Sequence, residues 1–379
     1  MSLERRTSRL DATTRLLFAD LHNHSLMSDG LGDPTTAFQR MRTAGLDVAA
    51  LTDHASIPHH TLDELDPAHY PHPEALAIAR TAPASLDLDE WRTTAELADA
   101  ADEPGRFTAI RGFEWTEPWL GHANVWFSGD YLGVTTPGRL HGLREWLLDR
   151  EPDALFGYNH PGRERGRFHD FERIDQLLPR MVGLEAFNRS EDMVVSRYED
   201  DRGNPVVACL DAGWRPGLTG VSDEHGVDYG LTGKGRTGLW ATEHSRAGVR
   251  AALLSRRTYA TREPGLLMDA TLNGVPMGGK VDRLSGRITV DLDVADDRSG
   301  REIELQVLGP GPMSSLRLVR TRSAVIGGLA TIDVADPVAG WMLVRVADPS
   351  RPAGPAYLGH TAVNGRALAY GSPWFLSER

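Results

Sequence analysis

Asp20-Leu21-His22-Asn23-His24-Ser25, followed by Ser28-Asp29-Gly30, decides how this chain reads. The stretch ends an apolar run, Leu16-Leu17-Phe18-Ala19, that has the composition of a buried strand. Side chains at i and i+2 of a strand share a face, so His22 and His24 project together at its end. Asp29 follows closely on the loop. Two imidazoles and a carboxylate converging at a strand terminus make a metal nest. A polar turn whose histidines merely alternate is the competing reading, and this fragment alone does not separate the two.

Working outward, Asp33 is a helix N-cap and Pro34 a first helical residue, with the helix running to Ala44 and stopping at Gly45. Val48-Ala49-Ala50-Leu51 is a second short apolar strand, ending in Thr52-Asp53-His54. Strand, helix and strand in this order predict parallel pairing. The pattern then repeats. Phe107–Phe113 delivers Glu114, and Asn124–Phe127 has His122 at its entrance. Leu155–Tyr158 delivers Asn159-His160-Pro161-Gly162, and Val182–Leu184 delivers Glu185, with Asn188 just beyond. Leu218–Val221 delivers Ser222-Asp223-Glu224-His225-Gly226. Helices are expected at Asp89–Ala101, Leu140–Asp149, Asp170–Leu178 and Ser245–Leu254. Active-site groups of α/β barrels gather at the C-terminal ends of the strands, and histidines with acids recur at those ends here.

From about Met268 the texture changes. Arg287–Leu292, Glu302–Val307, Ser315–Val319 and Trp341–Val346 alternate apolar and polar residues, with Gly, Pro and Asp between them. Half-buried antiparallel strands with frequent turns suggest a β-sandwich. The organisation expected is a loose lead-in over residues 1–14, an α/β unit over 15–265 and a small β-sandwich-like domain over 266–379. His360 stands alone in that last part and is expected to be structural or exposed.

The chain has 379 residues, 40% hydrophobic and 25% charged, an ordinary soluble composition that can bury a core. A formal charge of -12 leaves no basic surplus to displace counterions, which argues against nucleic acid as the main partner. Cys209 is the only cysteine, so an intrachain disulfide is impossible; its apolar surroundings make it a buried thiol rather than a nucleophile. No apolar segment is long enough to cross a bilayer, and Met1–Arg15 lacks the apolar core of a signal peptide. The expectation is a cytoplasmic protein with no membrane partner.

His22, His24, Asp29, His54, Glu114, His122, His160, Asp223 and His225 make nine oxygen and nitrogen ligand candidates with no thiolate among them. That is too many for one tetrahedral zinc and suits two or three divalent ions sharing a carboxylate. In order and type these groups resemble the PHP (polymerase and histidinol phosphatase) family of metal-dependent hydrolases. The resemblance covers roughly residues 16–265. It rests on Asp20–Ser25, Thr52-Asp53-His54, Glu114 with His122, Asn159-His160-Pro161 and Ser222–His225. It implies a distorted (β/α)7 barrel with a trinuclear site of zinc, manganese or iron. His22, His24, Glu114 and Asp223 would hold the first ion. Glu114 would bridge to a second held by His122 and His160, and Asp29, His54 and His225 would hold a third. Many family members have histidine where Asp29 stands. The Gly238–Thr261 segment and Leu272–Gly278, with the trailing β segment, are similar to the branch that includes carbaryl hydrolase.

The resemblance further implies that a hydroxide shared by the ions near Glu114 attacks phosphorus or a carbonyl carbon, with Glu114 and Asp223 as catalytic carboxylates. Arg163, three residues after His160, reads either as a clamp for a phosphate or carboxylate or as one surface charge in a loop that also holds Arg165 and Arg167. Asn188 lines the pocket or orients a ligand, as does Glu185, and Asp53 packs behind His54 as a helper. His59, His60, His69 and His72 fall in a Pro-rich span read as a loop over the site, and Trp115, Trp119 and Trp126 read as core. Three functions follow. The first is a phosphoesterase acting on a small anionic ester. The second is a carboxylic- or carbamic-ester hydrolase, and the third a non-catalytic, metal-stabilised scaffold.

Overall fold

The protein is seen in a computed structural model that describes residues 6–56, 84–134, 140–195, 198–231, 233–294, 298–353 and 363–377. His59, His60, His69, His72 and His360, and the loop expected over the site, lie outside the described residues.

The first part of the chain contributes β1 (Arg15–Asp20), β2 (Val48–Leu51), β3 (His54–Ala55), β4 (Thr108–Glu117), β5 (Gly121–Trp126), β6 (Leu155–Tyr158), β7 (Met181–Asn188), β8 (Glu191–Asp192), β9 (Gly217–Val221), β10 (Arg236–Ala241) and β11 (Thr258–Thr261). β1 pairs in parallel with β2 and antiparallel with β10, so both of its edges and faces are covered. That is why Leu16–Ala19 can be continuously apolar. The parallel run passes from β2 to β4, which also carries β3. It turns antiparallel through β5 and β6, then resumes in parallel through β7 and β9. The Phe107–Phe113 strand is therefore longer than its apolar run, because β3 and β5 pair with it on opposite edges. Glu114 sits inside this strand rather than after it.

Helix α1 (Pro34–Thr43) starts where Asp33 accepts from the Thr35 amide, and ends before Gly45, whose φ of 88° few other residues adopt. Helix α2 (Leu88–Ala101) opens with a reciprocal capping box between Asp87 and Glu90. Leu140–Glu145 is helical as expected but continues as a π-helical turn, Trp146–Arg150. Arg246–Leu254 is a helix capped by the Ser245 side chain.

The expected helix Asp170–Leu178 is reduced to a single 3-10 turn at Asp175–Leu177. Arg167, Phe168, His169, Asp170 and Phe171 instead take positive φ values of 43–59°, a left-handed turn. Such a turn costs about 1–2 kcal/mol per residue, so packing must offset it. Phe168 stacks on Tyr158 with centroids 3.8 Å apart, and Arg167 donates to the carbonyls of Tyr198 and Gly203. Pro205–Asp211, not anticipated as a helix, is one, and Cys209 is buried in it.

The second part adds β12 (Leu266–Leu272), β13 (Val275–Pro276), β14 (Lys280–Val281), β15 (Leu284–Val294), β16 (Glu302–Pro310), β17 (Leu316–Val325), β18 (Gly328–Val338), β19 (Trp341–Asp348), β20 (Arg366–Gly371) and β21 (Trp374–Leu376). β12, β13, β15 and β18 form one antiparallel sheet. β17, β16, β19 and β20 form another antiparallel run. β20 pairs with β11, setting Tyr370 opposite Ala260. The hydrogen-bonded sheet thus passes without a break from one part of the chain to the other.

Met268, Ile288 and Val290 from one sheet and Leu305, Val307, Val344 and Val346 from the other share a buried cluster with Leu16, Phe18 and Trp240. Burying a large apolar side chain contributes about 1.5–3 kcal/mol. This cluster therefore outweighs exposed ion pairs, worth about 1 kcal/mol or less each. The described lead-in is anchored, not loose. Arg6 pairs with Asp47 at 2.7 Å and Arg9 with Asp291 at 2.6 Å, tying residues 6–14 to both parts. Among the described residues no helix is long and apolar enough to cross a membrane.

Candidate metal centre

Glu114 lies at the register position between His54 of β3 and Asn124 of β5. Its two oxygens face different imidazoles. Oε1 lies 3.3 Å from His22 Nε2, 3.3 Å from His122 Nδ1 and 3.5 Å from His160 Nε2. Oε2 lies 2.7 Å from His54 Nδ1 and 3.6 Å from His24 Nε2. Asn159 donates to Oε1 at 2.6 Å and fixes the carboxylate from one side.

His22 and His24 point the same way just beyond β1, as the alternation predicts, with their Nε2 atoms 3.0 Å apart. Asp223 Oδ1 approaches both, at 3.6 Å from His22 and 3.4 Å from His24. Asp29 Oδ1 lies 3.3 Å from His54 Nε2 and 3.3 Å from His225 Nε2. All nine residues singled out by motif therefore meet at one end of the strands.

Backbone detail holds them there. The Asp53 carboxylate accepts from the Ser25 amide and from the Ser25 and Ser28 hydroxyls, bracing the loop that carries Asp29. A Cβ at Gly30 would come within 2.7 Å of the His24 carbonyl carbon, so the loop closes back on itself only with glycine there. His160 and Asp223 both have positive φ, 24° and 47°, strain of a kind that surrounding contacts must over-determine.

Electrostatics follow from this crowding. Burial alone would raise the Glu114 carboxyl, but the charges of His22, His54 and His122 hold it well below the usual range. Burial would likewise lower His54, yet Glu114 and Asp29 raise it to about 10. His24 goes the other way: burial, with the charge of His54, pushes it down to about 3, leaving a neutral imidazole. Carboxylates balanced by protonated imidazoles form a pattern that divalent cations would satisfy by displacing those protons. Among the described residues, the buried Nδ1 atoms of His24, His122 and His160 have no hydrogen-bond partner.

Four sets of side chains could each hold an ion: His24, Asp29, His54 and His225; His22, His24 and Glu114; His54, Glu114 and His122; and His122, His160 and Glu164. The donor set is all imidazole and carboxylate, which fits zinc, manganese or iron.

Around this cage, Glu185 accepts from the His160 amide at 2.6 Å and from Asn188 Nδ2 at 2.8 Å, and faces His22 Nδ1. Arg163 donates to Asn188 Oδ1 at 2.9 Å and pairs with Asp223 Oδ2 at 3.4 Å. Trp115 and Trp126 are core residues, and Trp119 is only half-buried. Two groups escaped the motif reading. Arg189 reaches Asp223 Oδ2 at 3.3 Å and His225 Nδ1 at 3.0 Å. Glu164 sits beside His122 and His160. Its spacing of four from His160 was the available signal, masked by the arginines around it.

No curated protein matches the chain. A protein family of unknown function, DUF3604, matches residues 65–128, a span that includes Glu114 and His122. Among solved structures, a two-domain protein from Bacteroides vulgatus containing a predicted PHP-like metal-dependent phosphoesterase is similar over 97% of this chain and 98% of its own, at 20% identity and a TM-score of 0.50. A proposed metal-dependent phosphoesterase from Bifidobacterium adolescentis covers 62% of this chain and 95% of its own, at 14% identity and a TM-score of 0.31. An amidohydrolase from Chromobacterium violaceum covers 56% of this chain and 90% of its own, at 15% identity and a TM-score of 0.29. Over nearly its whole length, then, the chain shares the fold of the Bacteroides two-domain protein.

Proposed function

We propose that this chain is a metal-dependent hydrolase that cleaves a small anionic phosphate ester. The observation that carries the reading is the split of Glu114, with Oε1 turned to His22, His122 and His160 and Oε2 to His24 and His54. A carboxylate so placed suits a bridge between ions. His22, His24, Glu114 and Asp223 would hold one, Glu114 with His122 and His160 a second, and Asp29, His54 and His225 a third. Divalent ions bound there would supply Lewis acidity and an acidified water near neutral pH.

The chain's own residues do the rest. Glu185 orients the His22 ring through Nδ1, and Asn159 keeps Glu114 from rotating. Arg163, held by Asn188 and Asp223, presents guanidinium N–H groups to an anionic oxygen of the substrate. Negative charge developing at the reacting centre would meet this preorganised positive group, which needs no reorganisation.

The same reading takes β1 to β11 as a distorted (β/α)7 barrel over residues 15–265. In support, Thr237 Oγ1 bridges to the Gly220 amide and carbonyl where β9 and β10 share no ladder. Residues 266–379 are read as a β-sandwich-like domain, and the cytoplasm as the compartment. The fold shared with the Bacteroides protein, described as containing a PHP-like phosphoesterase, supports the reaction class.

The test is turnover of p-nitrophenyl phosphate, bis(p-nitrophenyl) phosphate and a naphthyl carbamate by protein loaded with manganese, zinc or iron. Hydrolysis of a phosphate ester supports the proposal. Carbamate turnover alone moves the assignment to the carbamic-ester reading. Inactivity on all three with ions bound moves it to the scaffold.

A further inference from the structure

Resting on the hydrolase reading above, we propose that Arg189 is a second anion-binding residue, and that with Arg163 it makes the site select a phosphate monoester over a diester.

The Asp223 carboxylate is divided. Oδ1 lies 3.6 Å from His22 Nε2, 3.4 Å from His24 Nε2 and 3.3 Å from His225 Nδ1. Oδ2 faces two guanidiniums, 3.4 Å from Arg163 Nη1 and 3.3 Å from Arg189 Nε. The arginines arrive from different elements, one on the loop after β6 and the other in the turn between β7 and β8. Among the described residues, Asp223 is the only carboxylate within ion-pair distance of either. Two cations on one carboxylate oxygen leave an excess of positive charge beside the cage, which an incoming anion offsets.

Arg189 is pinned in place while its side chain stays 48% exposed. Its φ is 53°, its amide donates to the Val221 carbonyl at 3.0 Å, and its carbonyl accepts from the Gly235 amide at 2.8 Å. Glycine meets such backbone without strain, and a half-exposed guanidinium is not needed to fill the core. One of its two side-chain contacts also conflicts with an ion at His225. Arg189 Nη2 lies 3.0 Å from His225 Nδ1, which itself lies 3.0 Å from the Asp223 carbonyl. Nδ1 cannot donate to that carbonyl and accept from Arg189 at once. An ion on the opposite ring nitrogen would require Nδ1 to keep its proton; the proton then goes to the carbonyl, and Arg189 Nη2 is released for another acceptor.

The consequence is a choice of substrate. A phosphate monoester near neutral pH carries close to two negative charges and presents three terminal oxygens. A diester carries one charge and presents two such oxygens. A terminal phosphoryl group seated beside Asp223 can therefore meet both guanidiniums, each through its own N–H groups.

The test separates anions by charge. Wild type, Arg189→Gln and Arg189→Lys loaded with Mn2+ are titrated calorimetrically with inorganic phosphate and with dimethyl phosphate. They are also assayed on p-nitrophenyl phosphate and bis(p-nitrophenyl) phosphate, and bound Mn2+ is counted by elemental analysis. Arg189→Gln should bind phosphate about tenfold less tightly, or worse, and lose as much in kcat/KM for the monoester. Dimethyl phosphate, the diester and the Mn2+ content should change little. Arg189→Lys, which keeps the charge without the fork, should fall between. Unchanged phosphate affinity in Arg189→Gln overturns the proposal. Equal losses for both anions, or lost Mn2+, also overturn it, because they mark Arg189 as a brace for Asp223 and His225. So does a wild type that binds phosphate no better than dimethyl phosphate. A wild type that turns over neither ester, yet discriminates between the two anions through Arg189, refutes the hydrolase reading and leaves the anion site standing, so the two failures are distinguishable.

Discussion

His22 Nδ1 and Glu185 Oε1 face each other at 2.7 Å, both fully buried. The contact fixes which nitrogen of His22 is turned to Glu114 and Asp223. A carboxylate behind an imidazole raises its basicity and locks its tautomer. Glu185→Gln should keep the fold and lower affinity for the tightest ion about 10–100-fold. Competition with a chromogenic chelator measures this, and unchanged affinity would remove the orienting role.

Arg163 bridges Asn188 and Asp223, and in the proposed function it also meets the anionic oxygen of the substrate. Arg163→Ala should raise KM for a phosphate ester by about tenfold or more, since charge-assisted hydrogen bonds contribute about 1.5–3 kcal/mol. A neutral carbamate or carboxylic ester should be affected far less. Equal losses for charged and neutral substrates would show that Arg163 clamps no anion.

With ions bound as proposed, their removal should destabilise the whole chain, because the buried Glu114 charge is then balanced by protonated histidines and that of Asp223 by His22, Arg163 and Arg189. An ion present at 100 times its Kd stabilises the folded state by about 2.7 kcal/mol. Differential scanning calorimetry with and without chelator should show a lower Tm for the stripped protein, restored by Mn2+ or Zn2+. A melting curve indifferent to both would contradict a centre that binds ions.

Much of this site is legible in the chain because strand periodicity acts locally. His22 and His24 share a face by spacing alone, and Gly45 and Ser245 mark helix ends through their own chemistry. What stayed hidden depends on distant partners. Glu164 reads as one charge among Arg163, Arg165 and Arg167 until the turn folds it onto His122. The left-handed turn at Arg167–Phe171 exists because Phe168 finds Tyr158, and no local preference announces it. The pairing of β11 with β20 joins residues over a hundred positions apart, so alternation suggested a separate appendage where the sheet is continuous.

That continuity has a testable consequence for the site. Tyr370 on β20 donates to the Asp192 carboxylate at 3.0 and 3.1 Å, and its ring lies 5.2 Å from that of Phe187. Arg345 donates to the Tyr370 oxygen at 3.0 Å. Asp192 pairs with Phe187 across β7 and β8, a hairpin whose turn begins at Asn188 and carries Arg189. Tyr370→Phe removes the hydroxyl that joins buried Arg345 to half-buried Asp192 and leaves the Arg345 guanidinium one partner short, a loss of about 1–3 kcal/mol. Its effect should reach Asn188 and hence Arg163, raising KM for an anionic ester several-fold while kcat changes little, because Glu114 and the imidazoles facing it sit on or beside β1, β3, β4, β5 and β6 and not on the β7–β8 hairpin. Steady-state kinetics alongside urea denaturation separate the two effects. A stability loss with KM unchanged would mean that the second part of the chain supports the fold without tuning the site.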